Sequence, residues 1–505
     1  MAQLCPRRRT AAGEVDPLVK VDMNRHGMKL SRISKLLVDS DKVSVGEAQA
    51  RREQFAVTLR CGPDIGQSRT LQVAVLTAAS IAIRCFPGAV KVVLDKAAAG
   101  SNVVLTPLIQ GSFAAALAEL VGPQNLRLSN GSEVTGKVLL FGDVPPHSGA
   151  LRVTFDGWIA QVGPASTSGR LAERPYCALA GVLAGALALS EIFLSFAELN
   201  IAATRRTTGL SLWRPELPHT HPAAQGPQVE VLPRDLWVLG LGHLGNAYLW
   251  SLAALPYAEP QAVEIYLNDF DKVEAENSET GVIFTPDDEG QLKTRVCSRW
   301  LEARGFRTRL IERPFDSDFR RKRVAPQIEP PLALCGFDSN PARRMLPGAD
   351  FARVIDSGLG GTKHNFETIS FHTLPNARTA EELWPDLSAE RQEAQRLEIE
   401  RIAQENPGYE QLGEDVCGRA ELAGKSVAVP FVGVTAATLV IAEAIRLLHD
   451  GPAYSDIKLS LSDLKSVSAT AKGSYTVQDA AGISFCEANV EREDDPISLA
   501  AAAVQ

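Results

Sequence analysis

The sequence predicts an α/β protein built as two halves, the second a doubly wound, mostly parallel sheet. Three observations lead there. Strand-like and helix-like runs alternate along both halves, a glycine loop in WVLGLGHLG follows an apolar strand, and the proline-rich stretch LWRPELPHTHPAAQGPQ (212–228) divides the chain. Alternating strands and helices imply parallel pairing through helical crossovers, and such sheets bind ligands at the C-terminal ends of their strands.

Residues 1–30 are basic and poorly patterned and are expected to form an N-terminal arm. In 31–215, LQVAVLTAASIAIRCF and SFAAALAELVG carry helical spacing. VKVVL, KVLLFGDV and LRVTFDGWIAQVG carry the spacing of strands. This half has no glycine-rich phosphate loop and no paired acids after a strand. A linker is expected at 216–229 and a second domain at 230–455. Within that domain, strands are expected at 236–240, 262–268, 331–337 and 352–356. Helices are expected from the glycine loop to about 254 and over 290–304. A crossover loop is placed at about 362–430 and a C-terminal extension at 456–505.

A chain of 505 residues exceeds one ordinary core and suggests two to four domains. The net charge of −8 argues against a partner recognised through its phosphate backbone, so no nucleic acid is expected. CALAGVLAGALALSEIFLSF (177–196) is rich in Ala and Gly and carries Glu191, which favours a buried core helix over a membrane span. No apolar run follows the basic PRRR near the start, so no secretory signal is expected. The eight cysteines form no CxxC pair, which argues against a structural zinc and for the reduced thiols of a cytoplasmic protein.

Candidate chemistry gathers in the second half. Gly240, Gly242 and Gly245 would let backbone approach phosphate oxygens at a helix start. Asp269-Phe270-Asp271 ends the strand-like QAVEIYLNDFD, and Asn277 follows. Lys293 opens a helix in GQLKTRVCSRW. Asp338, Asn340 and Arg343 follow the apolar PPLALCGF. A glycine loop alone also suits a nicotinamide dinucleotide, but there the acid lies roughly 20 residues on. Here Asp269 is 29 residues beyond Gly240.

This series resembles the ATP-adenylating enzymes of the ThiF, MoeB and ubiquitin-activating superfamily. The likeness is strongest to the activating enzymes of bacterial ubiquitin-like conjugation operons of the Bil antiviral type. Its motifs lie in 236–450, and the likeness is fainter over 31–200. The resemblance implies two Rossmann-like adenylation halves, the first degenerate, with ATP and Mg2+ as cofactors. It places Asp269 on the ribose, with Asp271 supporting it or the glycine loop. Lys293 falls on the phosphates, where a cation offsets developing charge. Asp338 falls on magnesium, and Arg343 ties its loop to nearby backbone. Asp356-Ser-Gly-Leu-Gly-Gly would shape a groove for an incoming C-terminal tail.

The implied partners are a ubiquitin-like modifier, activated at its C-terminal glycine, and a ubiquitin-conjugating-type enzyme. The implied assembly is a monomeric pseudo-dimer or a homodimer. An internal echo fits duplication: LAGALALSEIF (183–193) superposes on TAATLVIAEAI (435–445), with Ala184 on Ala436, Leu187 on Leu439 and Glu191 on Glu443.

Cys417, beside Gly418 and after the charged insert ELWPDLSAERQEAQRLEIERIAQ, is the candidate thioester nucleophile. Cys486 is the reserve, while Cys297 and Cys335 read as structural. One departure stands out. Members of the superfamily it resembles often carry an arginine three positions after the asparagine, where this chain has Thr280. Either the first half supplies one, with Arg51, Arg52, Arg60 and Arg69 as candidates, or phosphate stabilisation is weaker. The competing functions are a sulfur-carrier adenylyltransferase without a thioester, a nicotinamide-dependent oxidoreductase, and a nucleotide-binding scaffold.

Overall fold

The computed structural model describes residues 31–41, 43–100, 107–108, 111–128, 134–386, 389–406, 423–424 and 426–490. The chain divides into two compact units. The smaller draws on 1–52 and 387–427 and contains the helices Arg32–Asp41, Val45–Arg52 and Ala389–Glu405. Within it, Arg52 donates to the Ser31 and Ser34 hydroxyls at 2.9 Å. Asn406, just past the third helix, donates to the Val38 carbonyl at 3.0 Å, which pins that helix to the first.

The larger unit, 53–386 and 428–505, holds two sheets of one plan. The first comprises β1 (Ala56–Cys61), β2 (Ala89–Leu94), β3 (Leu126–Leu128), β4 (Lys137–Phe141), β5 (Ala150–Asp156), β6 (Ile159–Pro164) and β7 (Thr208–Ser211), in the order β3-β2-β1-β4-β5-β6-β7. After β8 (Val231–Pro233), the second comprises β9 (Asp235–Leu239), β10 (Glu264–Asn268), β11 (Arg307–Ile311), β12 (Leu332–Cys335), β13 (Arg353–Leu359), β14 (Thr368–Leu374), β15 (Pro452–Ser460) and β16 (Asp463–Ser474). Its order is β11-β10-β9-β12-β13-β14-β15-β16. In each sheet the first five strands of this order pair in parallel and the later ones antiparallel. The α/β class and the doubly wound second half are thus as the sequence suggests.

The Leu179–Phe196 helix runs between β6 and β7, and the Pro430–Leu448 helix between β14 and β15, so the echoing segments occupy equivalent places. The two helices pack on each other, the first also against Arg69–Cys85 and the second against His243–Ala253. Their small residues allow close approach, and 89% and 94% of their most apolar stretches are buried within the protein. The matched acids are both neutralised in the core. Glu191 receives Arg206 at 2.7 Å and the Thr204 N–H at 2.8 Å, and Glu443 receives Arg446 and the Tyr454 N–H.

Several boundaries differ from the sequence reading. LRVTFDGWIAQVG is not one strand but the β5–β6 hairpin, folded back at Gly157-Trp158. The stretch assigned to a crossover begins with β14, a central strand whose TISFHTL buries alternate residues. The supposed C-terminal extension is sheet as well. β15 crosses residue 455, β16 forms the sheet edge, and β17 (Phe485–Glu487) pairs with β8. Long-range strand pairing, absent from any local pattern, recruits these segments.

Candidate functional site

Strand order reverses between β9 and β12, which opens a crevice at their C-terminal ends. Directly after β9, Gly240 adopts φ +79°, a left-handed conformation that favours glycine, and donates its N–H to the Asn268 carbonyl at 2.8 Å. A Cβ on Gly245 would stand 2.0 Å from the Gly240 carbonyl oxygen. The loop therefore closes tightly on the start of the His243–Ala253 helix. No side chain caps that helix, and a Cβ on Gly242 would meet nothing within 4 Å. The result is an open helix N-terminus, whose free N–H groups and dipole favour an anion.

Asp269 holds this loop. Its Oδ2 accepts the Leu241 N–H at 2.7 Å and its Oδ1 accepts the Asp271 N–H at 2.8 Å. Burial raises the carboxyl above its ordinary pKa, while Lys293 and the two backbone N–H groups pull it back. Lys293 donates its own N–H to the Asp271 carbonyl at 3.0 Å, and its Nζ lies 3.2 Å from the Asp271 carboxylate. Between the two acids, Phe270 is 55% exposed. Gly240, Gly242, Gly245, Asp269, Asp271 and Lys293 thus come together from three separate elements.

Across the strand reversal, Asp338 is exposed just beyond β12, and Phe337 packs close to Gly240. Arg343 is buried. It donates to the carbonyls of Phe337 and Ser357, the latter at 3.0 Å, and its Nε lies 3.2 Å from the buried Asp356 carboxylate. It therefore ties the ends of β12 and β13 together. Asn277 opens the one-turn Asn277–Thr280 helix and accepts the Glu274 N–H at 2.8 Å. Thr280 is buried, its hydroxyl on the Glu276 carbonyl.

The four candidate arginines of the first half have other partners. Arg51 pairs with Asp41, Arg52 binds Ser31 and Ser34, Arg69 donates to the Asn489 carbonyl at 2.6 Å, and Arg60 sits half-buried on β1. Arg84, another first-half arginine, does reach the Thr280 neighbourhood, donating to the Val282 carbonyl at 3.1 Å and the Phe284 carbonyl at 3.2 Å. Sequence reading also missed Asn246, fully buried between the glycine loop and Ile283. A lone amide just past the glycine motif was its only signal.

Cys417 lies outside the described residues. Cys486 is half-buried, its thiol pushed up to about 11 by burial above all. Burial also raises the thiols of Cys297 and Cys335 inside the fold.

The equivalent crevice of the first half is built differently. After β1 comes a 3-10 turn, Pro63–Gln67, in place of a glycine loop. The Asp64 carboxylate accepts the Asp143 N–H at 2.7 Å and pairs with Arg170. Arg152 donates to the Gly142 and Val144 carbonyls. The groups that line this crevice are committed to one another.

Comparison with known proteins agrees with this two-part plan. Residues 56–212 match the family model of the BilD N-terminal domain, and 232–451 that of the BilD C-terminal domain. Among solved structures, E. coli MccB is 17% identical over 48% of this chain and 62% of its own, with a TM-score of 0.33. MccB with ATP is 16% identical over 48% and 64%, with a TM-score of 0.32. The chain thus spans less than two thirds of these MccB chains. A bacterial E1-like protein BilD from Collimonas sp. (strain OK412) is 34% identical over 453 residues, 87% of this chain and 92% of that protein. With both halves matched and a relative aligned along nearly its whole length, the chain belongs to the BilD family of bacterial E1-like proteins.

Proposed function

We propose that this protein uses ATP and magnesium to adenylate the C-terminal glycine of a ubiquitin-like modifier. It then holds the modifier as a thioester on Cys417 and passes it to a conjugating-type enzyme. A cytoplasmic setting and a bacterial antiphage role belong to the same proposal.

The observation that carries it is the Asp269 carboxylate holding the Leu241 N–H beside an uncapped helix start, with Lys293 paired to Asp271 next to it. Open backbone N–H groups and an adjacent cation suit a polyphosphate, and the open space at Gly242 leaves room for one. Asp338, an exposed carboxylate across the crevice, would hold magnesium, which supplies further charge neutralisation at the phosphates.

In this chemistry a carboxylate oxygen of the modifier's terminal glycine attacks the α-phosphorus of ATP, and pyrophosphate leaves with the bonding electron pair. Lys293 offsets the charge that develops on phosphate oxygens. A cysteine thiolate then attacks the acyl carbon and AMP leaves, so a thioester replaces the mixed anhydride. The crevice of the first half holds no nucleotide of its own, because Asp64 puts a carboxylate where the second half opens a glycine loop. In one chain, the two halves stand in for two subunits.

Modifier-dependent pyrophosphate exchange tests this. Asp338→Ala should abolish exchange without unfolding the protein, because the side chain is exposed. Lys293→Ala should reduce exchange by about 10²-fold or more. Wild-type exchange in Asp338→Ala would refute the magnesium assignment. Binding of a nicotinamide dinucleotide with no binding of ATP would refute adenylation.

A further inference from the structure

We infer that Arg84 and Asn246 form a positioning relay through which the first half sets the shape of the glycine loop in the second. This inference rests on the adenylation proposal above, since it concerns the same loop.

The relay can be followed bond by bond. Arg84 lies in the last turn of the Arg69–Cys85 helix. Its Nη1 donates to the Ser80 carbonyl at 2.6 Å, which orients the guanidinium. Its Nη2 donates to the Val282 and Phe284 carbonyls at 3.1 and 3.2 Å, and the Ser80 hydroxyl adds a bond to Val282 at 3.3 Å. Ile283, between these two carbonyls, points its N–H the other way, onto Asn246 Oδ1 at 3.0 Å. Asn246 Nδ2 in turn donates to the Leu241 carbonyl at 3.0 Å. The N–H of Leu241 is the one that Asp269 holds at 2.7 Å.

A primary amide suits the middle position because it offers an acceptor and a donor on opposite sides of one rigid group. An aspartate would repel the Leu241 carbonyl, and an apolar side chain would leave both backbone groups buried without a bond. Asn246, Val282, Ile283 and Phe284 are all buried, so water does not readily replace these bonds. The space is tailored too. A Cβ on Gly281 would stand 2.9 Å from Asn246 Oδ1. Neither Arg84 nor Asn246 is placed on the reacting atoms, so both act through Leu241 and Asp269.

ATP titration of the full chain by calorimetry, with thermal unfolding alongside, tests the relay. Asn246→Ala and Arg84→Ala should each weaken ATP binding about tenfold, and the double variant should be no weaker than the worse single one, since both cut one path. Thr77→Val is the control. It removes the hydroxyl that accepts the Trp250 indole N–H at 3.0 Å in the same contact between halves, and should lower the melting temperature without changing ATP affinity. If Arg84→Ala does not fold, Arg84→Lys, which keeps one donor, should show a roughly threefold loss. Wild-type affinity in the Asn246 and Arg84 variants, additive losses in the double variant, or an equal loss in Thr77→Val would overturn the relay. Failure of the wild-type protein to bind ATP would overturn the adenylation proposal instead.

Discussion

The Asp269 carboxylate accepts the Leu241 N–H at 2.7 Å, so the end of β10 holds the glycine loop that follows β9. Its other oxygen takes the Asp271 N–H, which positions the acid that faces Lys293. Asp269→Ala should therefore cost both stability and nucleotide affinity. Leaving the Leu241 N–H unbonded costs about 1–3 kcal/mol, readable by denaturant unfolding. ATP affinity should fall at least tenfold in the same protein. Retained affinity would mean that the loop keeps its shape without the carboxylate.

The loop glycines should separate into two roles. Gly245→Ala places a methyl 2.0 Å from the Gly240 carbonyl oxygen and should cost about 1–3 kcal/mol by overpacking. Gly242→Ala meets no atom within 4 Å and should fold almost as well as the natural protein. Its methyl would instead occupy the space assigned to phosphate, so ATP binding should weaken. Unfolding curves and titrations on the pair decide this. Normal binding by Gly242→Ala would count against the phosphate assignment.

Glu367 makes stability depend on pH. It is buried and accepts the Ser462 hydroxyl. Its pKa is pushed up from 4.5 to about 7 by burial, with Glu191 adding and Ser462 and Arg206 opposing. Because the folded pKa is the higher one, the contribution is complete below about 4.5 and is lost as pH rises to about 7. The melting temperature should fall between about pH 5 and pH 8, and Glu367→Gln should flatten that slope. An unchanged slope in the variant would assign the dependence to other groups.

Cys417→Ala separates the two chemical steps. With ATP and modifier, adenylation should survive while the thiol-reducible adduct disappears from a non-reducing gel. An adduct that persists would move the role to another cysteine, with Cys486 first in line. Full downstream transfer without any adduct would favour a sulfur-carrier type of activity, which needs no thioester.

Much of the second half was legible in the sequence because its signals are local. A strand, a left-handed glycine, an uncapped helix start and an acid at the next strand end are each short patterns. Gly240 to Gly245 and Asp269 to Asp271 therefore sit close to where their spacing placed them. The first half carried helical and strand periods but no site motif. Its likeness to the second half became plain only from matching strand orders and the equivalent places of the Leu179–Phe196 and Pro430–Leu448 helices. β14, β15 and β16 were passed over because antiparallel additions to a parallel sheet depend on partners far away in the chain.

The sequence by itself determined the α/β class, the division into two halves and the residues that build the glycine loop, since apolar period and glycine spacing act over a few residues. Only the tertiary structure decided that a first-half arginine reaches the Val282–Phe284 segment, and which one does. Arg51, Arg52, Arg60 and Arg69 are equally basic on paper, yet Arg84 bonds to Val282, 198 residues away. That choice depends on how two helical layers pack and which buried carbonyls need donors, and buried hydrogen-bond demand is set by the folded surroundings of a residue rather than by its neighbours in sequence.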